Sequence, residues 1–261
     1  MENLSKFQTD YWSTRAKEIS EARKVSIADP IQKDLEIKFI DSTNIEFGNL
    51  LEVGCGNGVM TRYFESTARS VTAIDISKEM IDRALFEGQF QENTEFRLGD
   101  ATKLEFDNCV FDTVVMVRVL INMANRESQS KAIDEAHRVL KDHGRLILIE
   151  GSAESFEFIN SSRQAIGKDK ISRSPVNLYL DQDFFSQVVD HKFSNLLEIN
   201  SGVYDYVTRV LFSAKYDEEN ILMNLGDLKE NLKQLLNFRN DGEFLANFSR
   251  LKGGVYKKLQ L

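Results

Sequence analysis

Between residues 49 and 151, short apolar segments alternate with amphipathic ones, and this alternation constrains the fold more than any other feature of the sequence. The apolar segments are typical of strands, and they span Asn49–Val53, 70–74, Thr94–Leu98, Phe111–Val117 and 145–150. The amphipathic segments have the periodicity of helices, and they span 59–67, 77–87 and 128–140. Strands that alternate with helices form right-handed βαβ units and a parallel sheet covered on both faces. We therefore predict an α/β fold with a doubly wound, mostly parallel sheet.

The chain divides into three predicted regions. Residues 1–48 form an N-terminal helical segment, residues 49–152 form the core, and residues 153–261 shape the substrate pocket and complete the sheet. Asp29 is expected to cap a helix that begins with Pro30 and continues over 31–40. In the last region the patterns predict helices over 182–190 and 218–238, strands over 196–199 and 206–212, and a final edge strand over 254–258.

Composition and charge exclude several classes of function. The chain has 33 Lys and Arg residues against 41 Asp and Glu, a net charge of −8, which disfavours nucleic acid as a partner. The most apolar stretch, residues 114–121, is interrupted by Arg118 and is far shorter than the roughly 20 residues of a membrane-spanning helix. The N-terminus lacks the apolar run of a secretory signal. Two cysteines and three isolated histidines predict neither disulfides nor a metal site, so we expect a cytoplasmic protein.

Polar or glycine residues follow three of the predicted strands directly. A glycine-rich turn, Gly54 to Gly58, follows the first strand, Asp75 ends the second, and Asp100 follows the third. Such a turn lets a ligand approach the backbone and aims helix N–H groups at it, and the carboxyl ends of parallel strands meet at one edge of the sheet. Each feature alone is also explained by a tight turn, a helix cap or a solvated acid. Together they predict a nucleoside site, in which Asp75 binds the ribose and Asp100 the adenine amino group.

The spacing of the glycines distinguishes between nucleoside cofactors. A dinucleotide fingerprint requires glycine at position 59, where this chain has Val59. The block 50–58, with Glu52 before the turn, resembles motif I of the class I S-adenosylmethionine-dependent methyltransferases. The resemblance to this family extends over residues 8–152, where the later sequence blocks also match it in order and spacing. These blocks are Ala73–Ser77 with Met80, Gly99–Ala101, Phe111–Asp112, and Arg138–Lys141 before Gly144. The aromatic segment Tyr11–Ala16, which precedes them, also resembles the entry segment of many of these enzymes.

The resemblance implies a cofactor, S-adenosylmethionine, with S-adenosylhomocysteine as the product. It assigns cofactor binding to residues of the turn, the strand ends and the N-terminal segment, namely Tyr11, Arg15, Gly54, Cys55, Gly56, Asn57, Asp75, Ile76, Met80, Asp100, Ala101 and Val117. Glu52 is expected to support the turn, and Arg118 to lie near the sulfonium together with Val117.

Methyl transfer to a hydroxyl or an ammonium group invites a general base, because the acceptor atom needs a free lone pair. Of the three histidines only His191 is a candidate for this base, since His137 and His143 are expected to lie away from the cofactor. Asn122, which follows the fourth strand, either orients the acceptor or caps the next turn.

The second half of the chain resembles bacterial methyltransferases that modify polysaccharides and sugars. The matching pieces are Asn177-Leu178-Tyr179 and the segment with Tyr204 and Arg209, although Val176 stands where that subgroup often has histidine. With Arg118, the residues Tyr179, Tyr204 and Arg209 are the predicted substrate contacts. Three arginines in this half, Arg163, Arg173 and Arg209, either form surface ion pairs or bind an anionic acceptor.

The leading hypothesis is a methyltransferase of a small polar acceptor, such as a sugar or nucleotide-linked sugar in polysaccharide biosynthesis. N-methylation of a small phosphorylated amine is an alternative. Hypotheses of other classes are an NAD-dependent oxidoreductase, which Val59 disfavours, and a non-catalytic nucleoside-binding protein. The oligomeric state and the role of residues 216–261 are left open.

Overall fold

A seven-stranded sheet organises the part of the chain that the structure, a computed structural model, describes: residues 2–19, 25, 30–199, 201–211 and 249–260. The strands are β1 (Asn49–Val53), β2 (Ser70–Asp75), β3 (Thr94–Leu98), β4 (Phe111–Val117), β5 (Leu140–Gly151), β6 (Phe193–Glu198) and β7 (Leu251–Lys258). The α-helices are α1 (Glu2–Glu18), α2 (Pro30–Ser42), α3 (Thr61–Phe64), α4 (Lys78–Glu87), α5 (Arg126–Val139), α6 (Ala153–Ala165), α7 (Gln182–Val189) and α8 (Gly202–Asp205). A 3₁₀ turn (Leu120–Asn122) and a π-helical turn (Tyr206–Leu211) complete the elements.

The strand order is β3-β2-β1-β4-β5-β7-β6. Strands β1 to β5 pair in parallel, and β7 lies antiparallel between β5 and β6. The chain runs outward from β1 to β3 on one side and from β4 to β5 on the other, so the direction of winding reverses between β1 and β4. Ligands of such sheets bind at this point, beyond the carboxyl ends of the strands. The predicted fold class is confirmed.

Apolar side chains fill both faces of the sheet because successive residues of a strand point to opposite sides. On one face, Leu51 and Met116 belong to a cluster with Ile133 of α5. On the other, Leu50 belongs to a cluster with Phe64 of α3. Each buried side chain of this size contributes roughly 1.5–3 kcal/mol, and the two layers hold the strand ends in place.

Helix α4 begins where its sequence signals place it. The Ser77 hydroxyl accepts a hydrogen bond from the Met80 N–H at 3.3 Å, the contact of an N-cap. This cap starts α4 two residues after Asp75, at the edge of the sheet where the site lies.

Four predictions outside the core differ from the structure or lie outside the described residues. Residues 206–212 were expected to form a strand because of their β-branched residues, but Tyr206–Leu211 is a π-helical turn in which Val210 packs against Ile159 of α6. The strand predicted over 254–258 starts at Leu251 and is internal, since β6 forms the edge. The helix predicted over 218–238 and the cap at Asp29 lie outside the described residues.

Candidate functional site

The carboxyl edge of the sheet opens into a cavity of about 570 Å³, within the usual range for small-molecule sites. The ends of β1 to β5 line it together with residues of α1 and α2, and the segment entering β7 closes its far side. All but one of the residues predicted to bind the cofactor line this cavity, as do the four predicted substrate contacts and Asn122. The tertiary structure therefore brings these candidates together.

The glycine turn forms part of the wall next to β1. Gly54 has φ +72°, and a Cβ there would lie 2.7 Å from Val119 Cγ2, so both the conformation and the close approach require glycine. The N–H groups of Gly54 and Cys55 donate to the Ile74 carbonyl at 2.8 and 2.9 Å, and the Gly56 N–H donates to Asp75 at 2.8 Å.

The use of these N–H groups corrects one expectation. A phosphate site needs N–H groups that point at the ligand, whereas those of Gly54, Cys55 and Gly56 are engaged within the protein. The helix after the turn, α3, is also short, Thr61–Phe64, rather than extending over 59–67 as predicted. The turn therefore fits the amino-acid part of a nucleoside cofactor better than the pyrophosphate of a dinucleotide.

Asp75 joins the glycine turn after β1 to the start of helix α4. Its Oδ2 accepts from the Gly56 N–H at 2.8 Å, and its Oδ1 accepts from the Ser77 N–H at 2.9 Å. Burial raises the pKa of this carboxyl, while these backbone hydrogen bonds oppose the shift. Each carboxylate oxygen has a second lone pair, so Asp75 can also accept from the two hydroxyls of a ribose. The residues present thus fit the nucleoside that the sequence predicts.

The remaining nucleoside contacts differ in their exposure. Asp100 is exposed, and its Oδ1 accepts from the Thr102 N–H at 2.8 Å. Ile76 is 43% exposed and lines the cavity, as a residue that packs on a base would. Asn57 is the exception, because its amide donates to Glu87 at 3.2 Å and the residue does not line the cavity. The structure gives no support to Asn57 as a cofactor contact.

Helix α1 covers the nucleoside end of the cavity with Tyr11 and Arg15. It is attached to α4, where Glu79 accepts from the Ser13 hydroxyl at 2.7 Å and pairs with Lys17 at 3.0 Å. The hydrogen bonds from Ser13 and Lys17 lower the pKa of Glu79 to about 2. These contacts explain how the N-terminal segment reaches a site built by the core.

Asn122 lies in the 3₁₀ turn after β4 and lines the cavity. Its Nδ2 donates to the Arg118 carbonyl at 2.6 Å, which fixes the orientation of the amide. Its Oδ1 is buried and has no hydrogen-bond partner among the described residues. Because Asn122 lines the cavity, its unsatisfied amide oxygen is a candidate partner for a donor on a ligand.

Arg118 is less available to a ligand than the sequence suggests. It adopts φ +57°, and its guanidinium lies 3.1 Å from Glu36 of α2, which also pairs with Lys33 at 3.2 Å. Glu36 is fully buried, so this ion pair joins α2 to the loop after β4. Arg118 lines the cavity, but its positive charge is paired with the buried carboxylate of Glu36.

Glu150, the last polar residue of β5, is not among the site residues predicted from the sequence. Its fully buried carboxylate accepts from the backbone N–H groups of Val119, Leu120 and Ile121 at 2.9, 2.8 and 3.0 Å. Burial raises its pKa to about 8, and the three N–H groups and Arg118 oppose that shift. The available signal was an acid at the end of an apolar strand, the same pattern as Asp75.

The raised pKa of Glu150 predicts how stability depends on pH. An unfolded glutamate titrates near 4.3, so between about pH 5 and 8 the folded state retains a proton that the unfolded state has lost. This group therefore lowers the free energy of unfolding as pH rises, by up to about 1.4 kcal/mol per pH unit. Glu150→Gln keeps the shape of the side chain and should remove this part of the slope. Urea unfolding at pH 5, 6, 7 and 8 measures it.

The exposed pair of Glu127 and Lys131 on α5 provides the matched control. Glu127→Gln should leave the slope within error of the wild-type slope. Equal slopes for Glu150→Gln and wild type would contradict the prediction.

The three histidines lie at the opposite edge of the sheet. His191 is exposed and precedes Phe193, which pairs with Lys258 at the amino edge. His137 contacts the Leu259 carbonyl at 3.3 Å, beside the same edge, and His143 precedes the part of β5 that pairs with β4. None of the three lines the cavity. The structure therefore gives no support to His191 as a general base.

The described residues contain no group of three or more His, Cys, Asp or Glu side chains that could hold a metal ion. None of the helices described here has the length and apolar character needed to span a membrane.

The core of the chain is similar to a known family of proteins. Residues 51–148 match a family model described as a methyltransferase domain. The demethylmenaquinone methyltransferase of Tropheryma whipplei (strain Twist) is 37% identical over 103 residues, 40% of this chain and 41% of that protein. That of Symbiobacterium thermophilum is 30% identical over 129 residues, 47% of this chain and 50% of that protein. The chain thus spans half or less of the length of these two curated relatives.

Solved structures share the fold. N-methyltransferase NodS of Bradyrhizobium japonicum, in complex with S-adenosylhomocysteine, has a TM-score of 0.53 and 16% identity over 76% of this chain and 89% of that chain. Phosphoethanolamine N-methyltransferase 1 of Haemonchus contortus, in complex with phosphoethanolamine and S-adenosylhomocysteine, has a TM-score of 0.62 and 16% identity over 100% of this chain and 50% of that chain. At these identities the likeness shows the fold alone.

Proposed function

We propose that this chain, a class I S-adenosylmethionine-dependent methyltransferase by its core, transfers the methyl group to a hydroxyl or amine of a small polar acceptor. The observation that carries the proposal is Asp75, which accepts from Gly56 and Ser77 at the end of β2 and lines the cavity. The position suits a ribose-binding carboxylate, and the matched family model covers this part of the chain, residues 51–148.

When bound, the cofactor supplies an electrophilic methyl group on a sulfonium. Transfer would break the sulfur–carbon bond and form a bond from carbon to oxygen or nitrogen, and the acceptor atom would release its proton to solvent water. Such an in-line displacement depends mainly on proximity and alignment. Asn122 Oδ1 can accept a hydrogen bond from the acceptor and so direct a lone pair along the line of transfer. Asn122 is an orienting residue in this proposal, because an amide does not take up a proton at neutral pH.

The family match does not identify the methyl acceptor, because several residues proposed to bind the acceptor lie outside the matched part of the chain. The family match covers the cofactor core, whereas Tyr179, Tyr204 and Arg209 line the cavity from outside it. The demethylmenaquinone methyltransferases and the phosphoethanolamine enzyme therefore supply candidate acceptors to test, alongside the nucleotide-linked sugars that the sequence suggests.

The experiment is a methylation assay with a deuterated methyl donor, read by product mass. The acceptors are a nucleotide-linked sugar, phosphoethanolamine and a demethylated quinol, each with and without enzyme. We expect deuterated product from a polar acceptor, lost at least tenfold in kcat/KM in Asn122→Ala. Binding of S-adenosylhomocysteine without turnover of any acceptor would favour a non-catalytic role. Binding of NAD(H) alone would contradict the proposal.

A further inference from the structure

Three arginines line the side of the cavity farthest from the nucleoside end. We call Arg163 of α6, Arg209 of the π-helical turn and Arg250, which precedes β7, the arginine pole. Arg163 Nη1 donates to the Arg209 carbonyl at 2.7 Å, and Arg250 Nε pairs with Asp205 at 2.8 Å, one helical turn before Arg209. Three segments distant in sequence are thus tied together around one part of the wall.

The acidic side chains that line the cavity lie toward one end of the sheet edge, although Arg15, Lys33 and Arg118 also line the cavity outside the arginine pole. Among the described residues, the acidic lining residues are Glu52, Asp75 and Asp100, in or just after β1, β2 and β3. Arg250 enters β7, which lies four strands from β2 in the sheet. At about 4.8 Å between neighbouring strands, Asp75 and Arg250 are roughly 19 Å apart across the sheet.

The acidic lining residues and the arginine pole suit two ligand groups of different charge. The acidic end suits ribose hydroxyls and an adenine amino group, which are donors. Guanidinium groups bind phosphate or carboxylate in a bidentate manner, and a partly enclosed site strengthens the attraction. The buried side chain of Tyr204 and the half-buried side chain of Tyr179 also line the cavity.

We propose that the acceptor carries a phosphate or carboxylate group, which the arginine pole binds while the methyl-accepting atom lies at Asn122. The proposal deepens the proposed function and rests on it. The end of β4 and the start of β7 are two strand spacings apart, roughly 10 Å. An acceptor that spans this distance is a compact molecule, with its anionic group at one end and its hydroxyl or amine at the other.

The test is calorimetric titration of anions into the full chain saturated with S-adenosylhomocysteine. The probes are inorganic phosphate, phosphoethanolamine and glucose 1-phosphate for phosphate, and glucuronate for carboxylate, with ethanolamine and glucose as counterparts that lack the anionic group. We expect at least one anion to bind and its counterpart without the anionic group to bind at least tenfold more weakly. Arg209→Gln should weaken the anion at least tenfold, with the affinity for S-adenosylhomocysteine unchanged.

Arg97 is the matched control, because it pairs with exposed Glu95 at 2.7 Å and does not line the cavity. Arg97→Gln should leave anion binding unchanged. If Arg209→Gln fails to fold, Arg209→Lys retains the charge without the planar fork and should weaken the anion about threefold.

Two results would overturn the inference while leaving the proposed function intact. One is binding of S-adenosylhomocysteine with no binding of any anion. The other is equal anion binding by the Arg209 and Arg97 variants. Failure of the wild-type chain to bind S-adenosylhomocysteine would instead remove both proposals.

Discussion

Asp75→Asn is expected to weaken the binding of S-adenosylhomocysteine about 100-fold, which corresponds to about 2.7 kcal/mol. The amide keeps the size of the carboxylate but has a single acceptor oxygen. It therefore cannot accept from both the Gly56 and Ser77 N–H groups, now held at 2.8 and 2.9 Å, and still bind two ribose hydroxyls. Hydrogen bonds to a charged group contribute about 1.5–3 kcal/mol each, so the loss of one or two accounts for the effect.

Calorimetry with purified wild-type and variant protein measures this change. Asp82→Asn is the control, because Asp82 lies on the neighbouring helix α4, is exposed, and pairs with Lys78 on the same helix. Its affinity should stay within a factor of two of wild type. An Asp75→Asn affinity within threefold of wild type would show that this carboxylate does not bind the cofactor.

Gly254→Val is expected to destabilise the fold by more than about 4 kcal/mol, among the largest effects of a single substitution. A Cβ at this position would overlap with the Leu197 carbonyl, and one at Gly253 would overlap with the Leu148 carbonyl. The two glycines let β7 fit between β5 and β6, so a side chain there forces the strands apart. Arg250 directly precedes this strand and lines the cavity, so loss of the fold should also abolish substrate binding.

Thermal unfolding is the measurement, since 4 kcal/mol corresponds to a decrease in Tm of roughly 8–16 °C for a domain of this size. Gly167→Ala is the control, because it has open space around the added Cβ and only the strain of φ +75°. We expect it to cost about 1–2 kcal/mol. A Tm of Gly254→Val as high as that of Gly167→Ala would contradict the role assigned to this strand.

The local sequence predicts the core well, because its signals act within a few residues. The bounds of β1, β3 and β4 agree with the structure, since β1 and β4 are largely apolar runs, β3 alternates charged with apolar residues, and each ends in a glycine or a polar loop. Ser77 caps α4 as predicted, because a serine hydroxyl satisfies an N–H group three residues later wherever the helix packs.

Failures occur where contacts distant in sequence decide the structure. The β-branched residues of 206–212 have a strand-like pattern, yet Val210 contacts Ile159 of α6 and the chain coils instead. Asn57 belongs to the glycine turn by sequence, but a hydrogen bond to Glu87 of α4 holds its side chain away from the cavity. No local pattern reveals such a partner.

The sequence by itself determined the α/β class, the glycine turn and the position of Asp75 at the end of β2, because hydrophobic period and turn chemistry are local properties. Only the tertiary structure decided that Glu150 binds the loop after β4, that Glu36 balances Arg118, and that Arg163, Arg209 and Arg250 meet at one end of the cavity. These side chains are separated by tens of residues along the chain. Their charges act on one another only after the sheet has placed their strand ends side by side.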